Sequence, residues 1–174
     1  MIGQERYSHV ARWLHWIIAA LVIANILIGL FHDGMGKAFP AMPIHKAIGI
    51  TVLALTLVRI GWRLTHRAPP LPAALPGWEK GAAHLTHFTF YALLLVLPLS
   101  GWVMSSANDR PLTWFWLFDI PKFGVTKGDA IVGVSGEAHE VLGLIFGALI
   151  LLHIAAALRH HFILKDGILR RMLG

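Results

Sequence analysis

Six histidines, His15, His45, His84, His87, His139 and His153, fall in or at the edge of long apolar stretches. An ionisable side chain within a bilayer is costly and usually functional. One such residue could be a hydrogen-bonded core group, but six, touching every apolar stretch, point to a shared chemistry. The chain has 11 histidines and no cysteine. Disulfides, thiolate zinc sites, iron–sulfur clusters and covalent haem attachment are therefore excluded, and any cofactor is held by His, Met or carboxylate. His139 and His153 give the sharpest signal, because they are 14 residues apart. On a helix that spacing returns a side chain to within about 40° of its starting direction and roughly 21 Å along the axis. One metal ion cannot bridge that distance; two haems stacked across a bilayer can. Between them Gly143 and Gly147 thin the face where a flat macrocycle would approach, with close helix packing as their other use. Phe146 lies on the line joining the two histidines.

The elements that position these groups are apolar. Of 174 residues 56% are hydrophobic and only 14% charged, against about a quarter charged in an ordinary soluble domain. Apolar stretches at 13–31, 44–64, 82–104 and 141–162 each approach the roughly 20 residues that cross a bilayer core. The expected fold is all-α: one integral membrane domain over residues 1–174, a four-helix transmembrane bundle with helices at about 10–31, 44–64, 82–104 and 139–162. The first stretch is too long for a signal-peptide core and runs into Phe31-His32-Asp33-Gly34 without a cleavage pattern, so it is read as retained. Pro98 is expected to kink the third helix. The Pro-rich run 68–76 reads as a stiff link. The loop 105–138 carries Trp114, Phe115, Trp116 and Phe118, expected to lie at the membrane interface as a short amphipathic helix.

The net charge of +6 does not indicate nucleic acid, because the basic residues border the apolar stretches instead of forming one stripe. They set the topology. Arg6, Arg12, Arg59, Arg63, Arg67, Lys80, Arg159, Lys165, Arg170 and Arg171 fall to the side of the N-terminus, the second connection and the C-terminus; Lys37, Lys46, Arg110, Lys122 and Lys127 fall to the other. The excess predicts that both termini are cytoplasmic, N-in and C-in.

Depth then pairs the histidines. His45 and His139 open helices two and four, which run the same way, so both lie towards the outer leaflet. His153 lies well down helix four and His15 early in helix one, at a similar inner depth. The pairs are His45 with His139 for an outer haem iron and His15 with His153 for an inner one. His87, in the third helix, competes with His15 on depth alone; its other role is in the surroundings of the haem. Arg59 follows His45 by 14 residues and so shares its face near the inner haem. Arg59, and Arg12 one turn before His15, are candidates to pair with a haem propionate, with snorkelling to lipid headgroups as the alternative.

Several short motifs stand in order along nearly the whole chain: Leu14-His15-Trp16, Ile44-His45-Lys46, Ala83-His84-Leu85-Thr86-His87, Leu97-Pro98-Leu99-Ser100-Gly101, His139-Glu140, and the tail from His153 to His161. In these the sequence resembles the bacterial cytochrome b561 family of di-haem, quinone-linked membrane cytochromes. The resemblance implies non-covalent b-type haems ligated by His15, His45, His139 and His153 in a multi-pass protein of the bacterial inner membrane. It also implies oxidation of superoxide at the periplasmic face and reduction of ubiquinone. His160 and His161, with Arg159 and Lys165, follow the inner haem position and are candidates for the quinone vicinity, or else basic headgroup contacts. The outer side as a whole is not basic, but Lys46 and Lys37 could form a local patch that steers an anion. Related cytochromes act instead as anchors that pass electrons from a partner dehydrogenase or hydrogenase to quinone. That is the alternative function. A metal or proton transporter would need a continuous polar route, and apart from the histidines and Asn25 the span interiors are nearly all apolar.

Overall fold

The computed structural model describes residues 6–36 and 38–174; Lys37, one half of the expected basic patch, lies outside the described residues. Four helices dominate, and all four are long and apolar enough to cross a membrane: α1 His9–Phe31, α2 Ala41–Thr65, α3 Gly77–Ser106 and α4 Ala130–Leu158. α1 packs on α2, α2 on α3 and α3 on α4, and α1 touches α4 to close the bundle.

Each helix begins where the local sequence dictates. Ser8 caps α1, its hydroxyl accepting from the Ala11 amide at 3.3 Å and from the Trp62 indole at 3.2 Å. Such a cap satisfies one of the four backbone donors left over at a helix start. Pro40 and Pro76 stand immediately before α2 and α3, where extended backbone is already favoured. α3 continues helical through Pro98, the neighbouring helices supporting it as they do in membrane bundles.

The packing is that of a membrane protein. Large apolar residues such as Trp13, Leu27, Leu57, Phe88 and Leu151 are exposed along the outside of the bundle, a surface suited to lipid. The tightly buried residues are few: Ile18, Val22, Ile48, Val52, Leu93, Leu97 and Phe146 form one cluster drawn from all four helices. By sequence position this layer lies between the outer and inner histidines, so it separates two sites with apolar side chains.

Two expectations are corrected. α4 starts at Ala130, not near residue 139, so the loop before it is shorter and His139 lies well inside the helix. The segment 130–138 holds Gly, Ser and Glu among its apolar residues, which hides it from a search for apolar runs, yet nothing in it breaks a helix. The aromatic loop forms a β-hairpin instead of an amphipathic helix: β1 Thr113–Trp114 pairs antiparallel with β2 Phe118–Asp119. Its turn closes with the Leu117 amide donating to the Trp114 carbonyl at 2.9 Å, and the central residues Phe115 and Trp116 both have positive φ, 45° and 61°. The Trp114 indole anchors the hairpin on α2 by donating to the Thr51 hydroxyl at 2.9 Å. Trp116, Leu117 and Phe118 are exposed, as interface-seeking side chains are.

The two termini meet at one end of the bundle. The Tyr7 amide donates to the Arg171 carbonyl at 3.3 Å, and the Trp16 indole to the Met172 carbonyl at 3.0 Å. A short helix α5, Arg170–Leu173, is thereby held against the start of α1 through Tyr7 and Trp16.

Candidate functional site

The histidines gather in two groups. At the end away from the termini, His45 of α2 faces His139 of α4 with ring centres 6.0 Å apart and planes at 78°. At the terminal end, His15 of α1 faces His153 of α4 at 6.5 Å and 76°. Two imidazoles on opposite sides of one metal ion, with metal–nitrogen bonds of about 2 Å, have ring centres roughly 6 Å apart. Both pairs have the spacing of bis-histidine ligation. Among the described residues no three or more His, Asp or Glu side chains gather as a bare metal ion would need.

The first pair passes a stricter test of fit. The His45 Nδ1 donates to the Asn25 carbonyl at 3.0 Å, and the His139 Nδ1 to the Leu97 carbonyl at 3.0 Å. A carbonyl oxygen can only accept, so Nδ1 carries the proton in both rings and Nε2 keeps a free lone pair for a metal. The Ser100 hydroxyl spends its proton on the Leu97 carbonyl at 2.9 Å and stands 3.1 Å from the His139 Nδ1 as a second acceptor. The rings border a cavity of about 570 Å³ lined also by Asn25, Gly29, Gly101, Gly143 and Phe146, within the roughly 300–1,000 Å³ typical of cofactor pockets. The Asn25 side-chain oxygen is buried there with no hydrogen-bond partner. An apolar slot bounded by two metal-ready imidazoles fits a haem.

This geometry agrees with the sequence comparison, in which the model of the family described as prokaryotic cytochrome b561 matches residues 6–174. The chain belongs to the prokaryotic cytochrome b561 family. Membership makes it a membrane electron-transfer protein of the b-haem class. It is 34% identical to cytochrome b561 homolog 2 of Escherichia coli (strain K12), over 98% of this chain and 92% of that one. Cytochrome b561 homolog 1 of the same organism is 32% identical, with 97% of each chain covered. The probable superoxide oxidase CybB of Yersinia pestis is 28% identical over 97% of this chain and 96% of that protein.

For a cytochrome b561 the terminal-end group is more crowded than a single pair. His87 of α3 also faces His153, with ring centres 6.1 Å apart at 69°. His15 and His87 therefore both stand at ligand distance, and the competition seen in the sequence persists in space. They differ in enclosure: His15 is half-buried, whereas His87 is open on its flank. Phe90 packs edge-on against His153 at 5.2 Å and against Phe146 at 5.7 Å, which links this group to the central layer. His84 is exposed.

The arginines are engaged by protein. Arg59 donates to the Ala11 carbonyl at 2.9 Å and to the Tyr91 hydroxyl at 3.2 Å, so it ties α2 to α1 and α3 beside His15. Arg12 reaches His9 at 2.9 Å with one guanidinium nitrogen, and its other, Nη1, is buried without a hydrogen-bond partner among the described residues. That orphaned donor is free for an anionic group, as a propionate is. Beyond Leu158 the chain continues as one turn of π-helix, Arg159–Leu164, ending at Lys165 with a positive φ of 53°. Such single turns are frequent at functional sites. Here the turn brings the His160 Nδ1 within 2.5 Å of Asp166, while Arg159 pairs with Glu79 at 3.2 Å. His161 stacks edge-on against Phe162.

At the opposite end the basic patch differs from the expected one. Arg110 and Lys122 stand close enough to Lys46 to act on its charge, and Lys46 lines the cavity beside His45. Three cations from separate parts of the sequence thus lie near one another, and Lys46 among them lines the cavity. Sequence reading also missed Asn25, Gly29, Ser100 and Gly101 as supports of the ligands. The helical spacing of four residues from Asn25 to Gly29, repeated from Leu97 to Gly101, was the available signal.

Proposed function

We propose that this cytochrome b561 takes electrons from superoxide at the periplasmic face of a bacterial inner membrane and delivers them to ubiquinone nearer the cytoplasmic face. Two b haems serve, one between His45 and His139 and one between His15 and His153. The observation that carries this reading is the pair of facing imidazole couples, 6.0 and 6.5 Å between ring centres, separated along α4 by roughly 21 Å. A bound haem in each place supplies reversible one-electron transfer. Each superoxide gives up one electron and leaves as dioxygen; ubiquinone takes two electrons and two protons to become the quinol.

The residues have distinct parts. Lys46, Arg110 and Lys122 raise the local anion concentration at the outer mouth. His45 and His139 hold the entrance centre. His15 is the second ligand to His153 because it is enclosed in the bundle, and His87 packs around that centre. Arg12 offers its unpartnered nitrogen to a propionate, and Arg59 holds α1, α2 and α3 in register around His15. The quinone lies near the π-helical turn of His160 and His161. Both termini are cytoplasmic, following the ten basic residues at that end.

A pulse of superoxide given to the purified protein tests the reading. The haem bands should reduce without a partner protein, and added ubiquinone should reoxidise them. If superoxide leaves the spectrum oxidised while a dehydrogenase partner reduces it, the chain is an anchor subunit.

A further inference from the structure

His45 and His139 are held by the same device. Each Nδ1 donates to a backbone carbonyl at 3.0 Å, of Asn25 and of Leu97. In each case the residue one turn further along the accepting helix is glycine. A Cβ built on Gly29 would stand 3.0 Å from Cε1 and 3.3 Å from Nδ1 of His45; on Gly101 it would stand at the same two distances from His139. The carbonyl fixes the proton on Nδ1, and the missing side chain lets the ring lie against the helix backbone. α1 seats the ring of α2, and α3 seats the ring of α4. At the terminal end, among the described residues, no ring nitrogen of His15 or His153 bonds a carbonyl. There the Arg59 guanidinium is held near His15 by hydrogen bonds to the Ala11 carbonyl of α1 and the Tyr91 hydroxyl of α3.

We infer that these two backbone seats make the His45/His139 centre the lower-potential one, and so set the direction of electron flow towards His15/His153. The inference rests on the bis-histidine ligation proposed above. Donation from Nδ1–H pushes electron density onto Nε2 and raises the basicity of the ligand, which favours the ferric over the ferrous ion. Two seated ligands act on the same iron. The guanidinium near His15 works in the same sense from the other end, since a nearby positive charge favours the state that holds the extra electron. Lys46 beside His45, with Arg110 and Lys122 near it, opposes this; Glu140, which lines the same cavity, offsets part of their effect, and the two hydrogen bonds act directly on the ligands. One electron passes from the outer centre to the inner, and no atom is transferred.

Anaerobic potentiometric titration of the purified holoprotein, followed by visible and EPR spectra, tests the inference. The variants are Gly29→Ala and Gly101→Ala, with Gly61→Ala as control because nothing stands within 4 Å of a Cβ there. Alanine is the better helix former, so each helix is retained and the strain at Gly29 and Gly101 falls on the facing ring. The wild type should show two transitions. In Gly29→Ala and Gly101→Ala the ring is displaced and its hydrogen bond stretched. The lower transition should then rise by about three- to tenfold in equilibrium constant, or roughly 30–60 mV at 59 mV per decade. One low-spin EPR signal should move with it, while the upper transition stays. Should alanine expel a haem outright, the lost transition must be the lower. A response of the upper transition, or two bound haems with neither potential moved, would overturn the inference while leaving the ligation intact. A wild type without bis-histidine haem would sink the ligation reading itself.

Discussion

Replacing His153 by alanine should remove one haem and spare the other. The His139 and His153 positions are separated by roughly 21 Å of helix, with the buried layer of Ile18, Val52, Leu93 and Phe146 between them. No side chain of the His45/His139 group touches His153, whose ring neighbours are His15, His87 and Phe90. Loss of a partner that merely orients a ligand costs about 10–100-fold in metal affinity. Loss of the ligating ring costs at least the upper end of that range. The haem content should therefore fall from two per chain to one, and the α-band amplitude by about half. The remaining haem should still be reduced by superoxide, but quinol formation should stop because the route to the terminal end is cut. His45→Ala should do the converse, blocking reduction from outside and keeping the inner haem's spectrum. His15→Ala should empty the same centre as His153→Ala, whereas His87→Ala should keep both haems. Haem content and low-temperature spectra of the four variants decide the matter. Loss of both haems, or of neither, in His153→Ala would refute the separation into two independent sites. Loss in His87→Ala with retention in His15→Ala would reassign the second ligand.

Three further outcomes follow from particular contacts. Arg59→Leu removes the bonds to the Ala11 carbonyl and the Tyr91 hydroxyl and should cost about 0.5–1.5 kcal/mol for each, read as a lower thermal midpoint of haem release. Trp114→Phe keeps an aromatic ring but loses the 2.9 Å bond to Thr51 and part of the indole's packing; it should cost at least about 1 kcal/mol, seen as earlier proteolysis of the hairpin on heating. Charge reversal of Arg110 and Lys122 together should slow haem reduction by superoxide roughly tenfold at low ionic strength, with the difference fading as salt is added.

The parts of this molecule that depend on one helix were legible in its sequence. Apolar length gave the four spans, and helical arithmetic placed His139 and His153 on one face at two depths. Depth matching also led to the expected pairs His45/His139 and His15/His153, whose rings stand 6.0 and 6.5 Å apart, with His87 as the rival to His15 at 6.1 Å. What escaped depends on contacts between helices. Gly29 and Gly101 look like the small residues of any membrane helix, and only the approach of a ring from the neighbouring helix shows why they lack side chains. His15 and His87 could not be ranked by depth because two helices present them to the same partner. The hairpin carries no Asn-Gly or Asp-Gly turn signal; Phe115 and Trp116 take the positive φ that its tight turn requires, and the Trp114 bond to Thr51 holds the hairpin on α2. The early start of α4 was hidden because a helix projecting beyond the bilayer need not be apolar.

The central claim is that each chain binds two non-covalent b haems, and counting them tests it most directly. Acid–organic extraction followed by pyridine haemochrome analysis, set against protein mass, should give two extractable haems per chain with the spectrum of haem b. One haem per chain, or haem that resists extraction, would contradict the account.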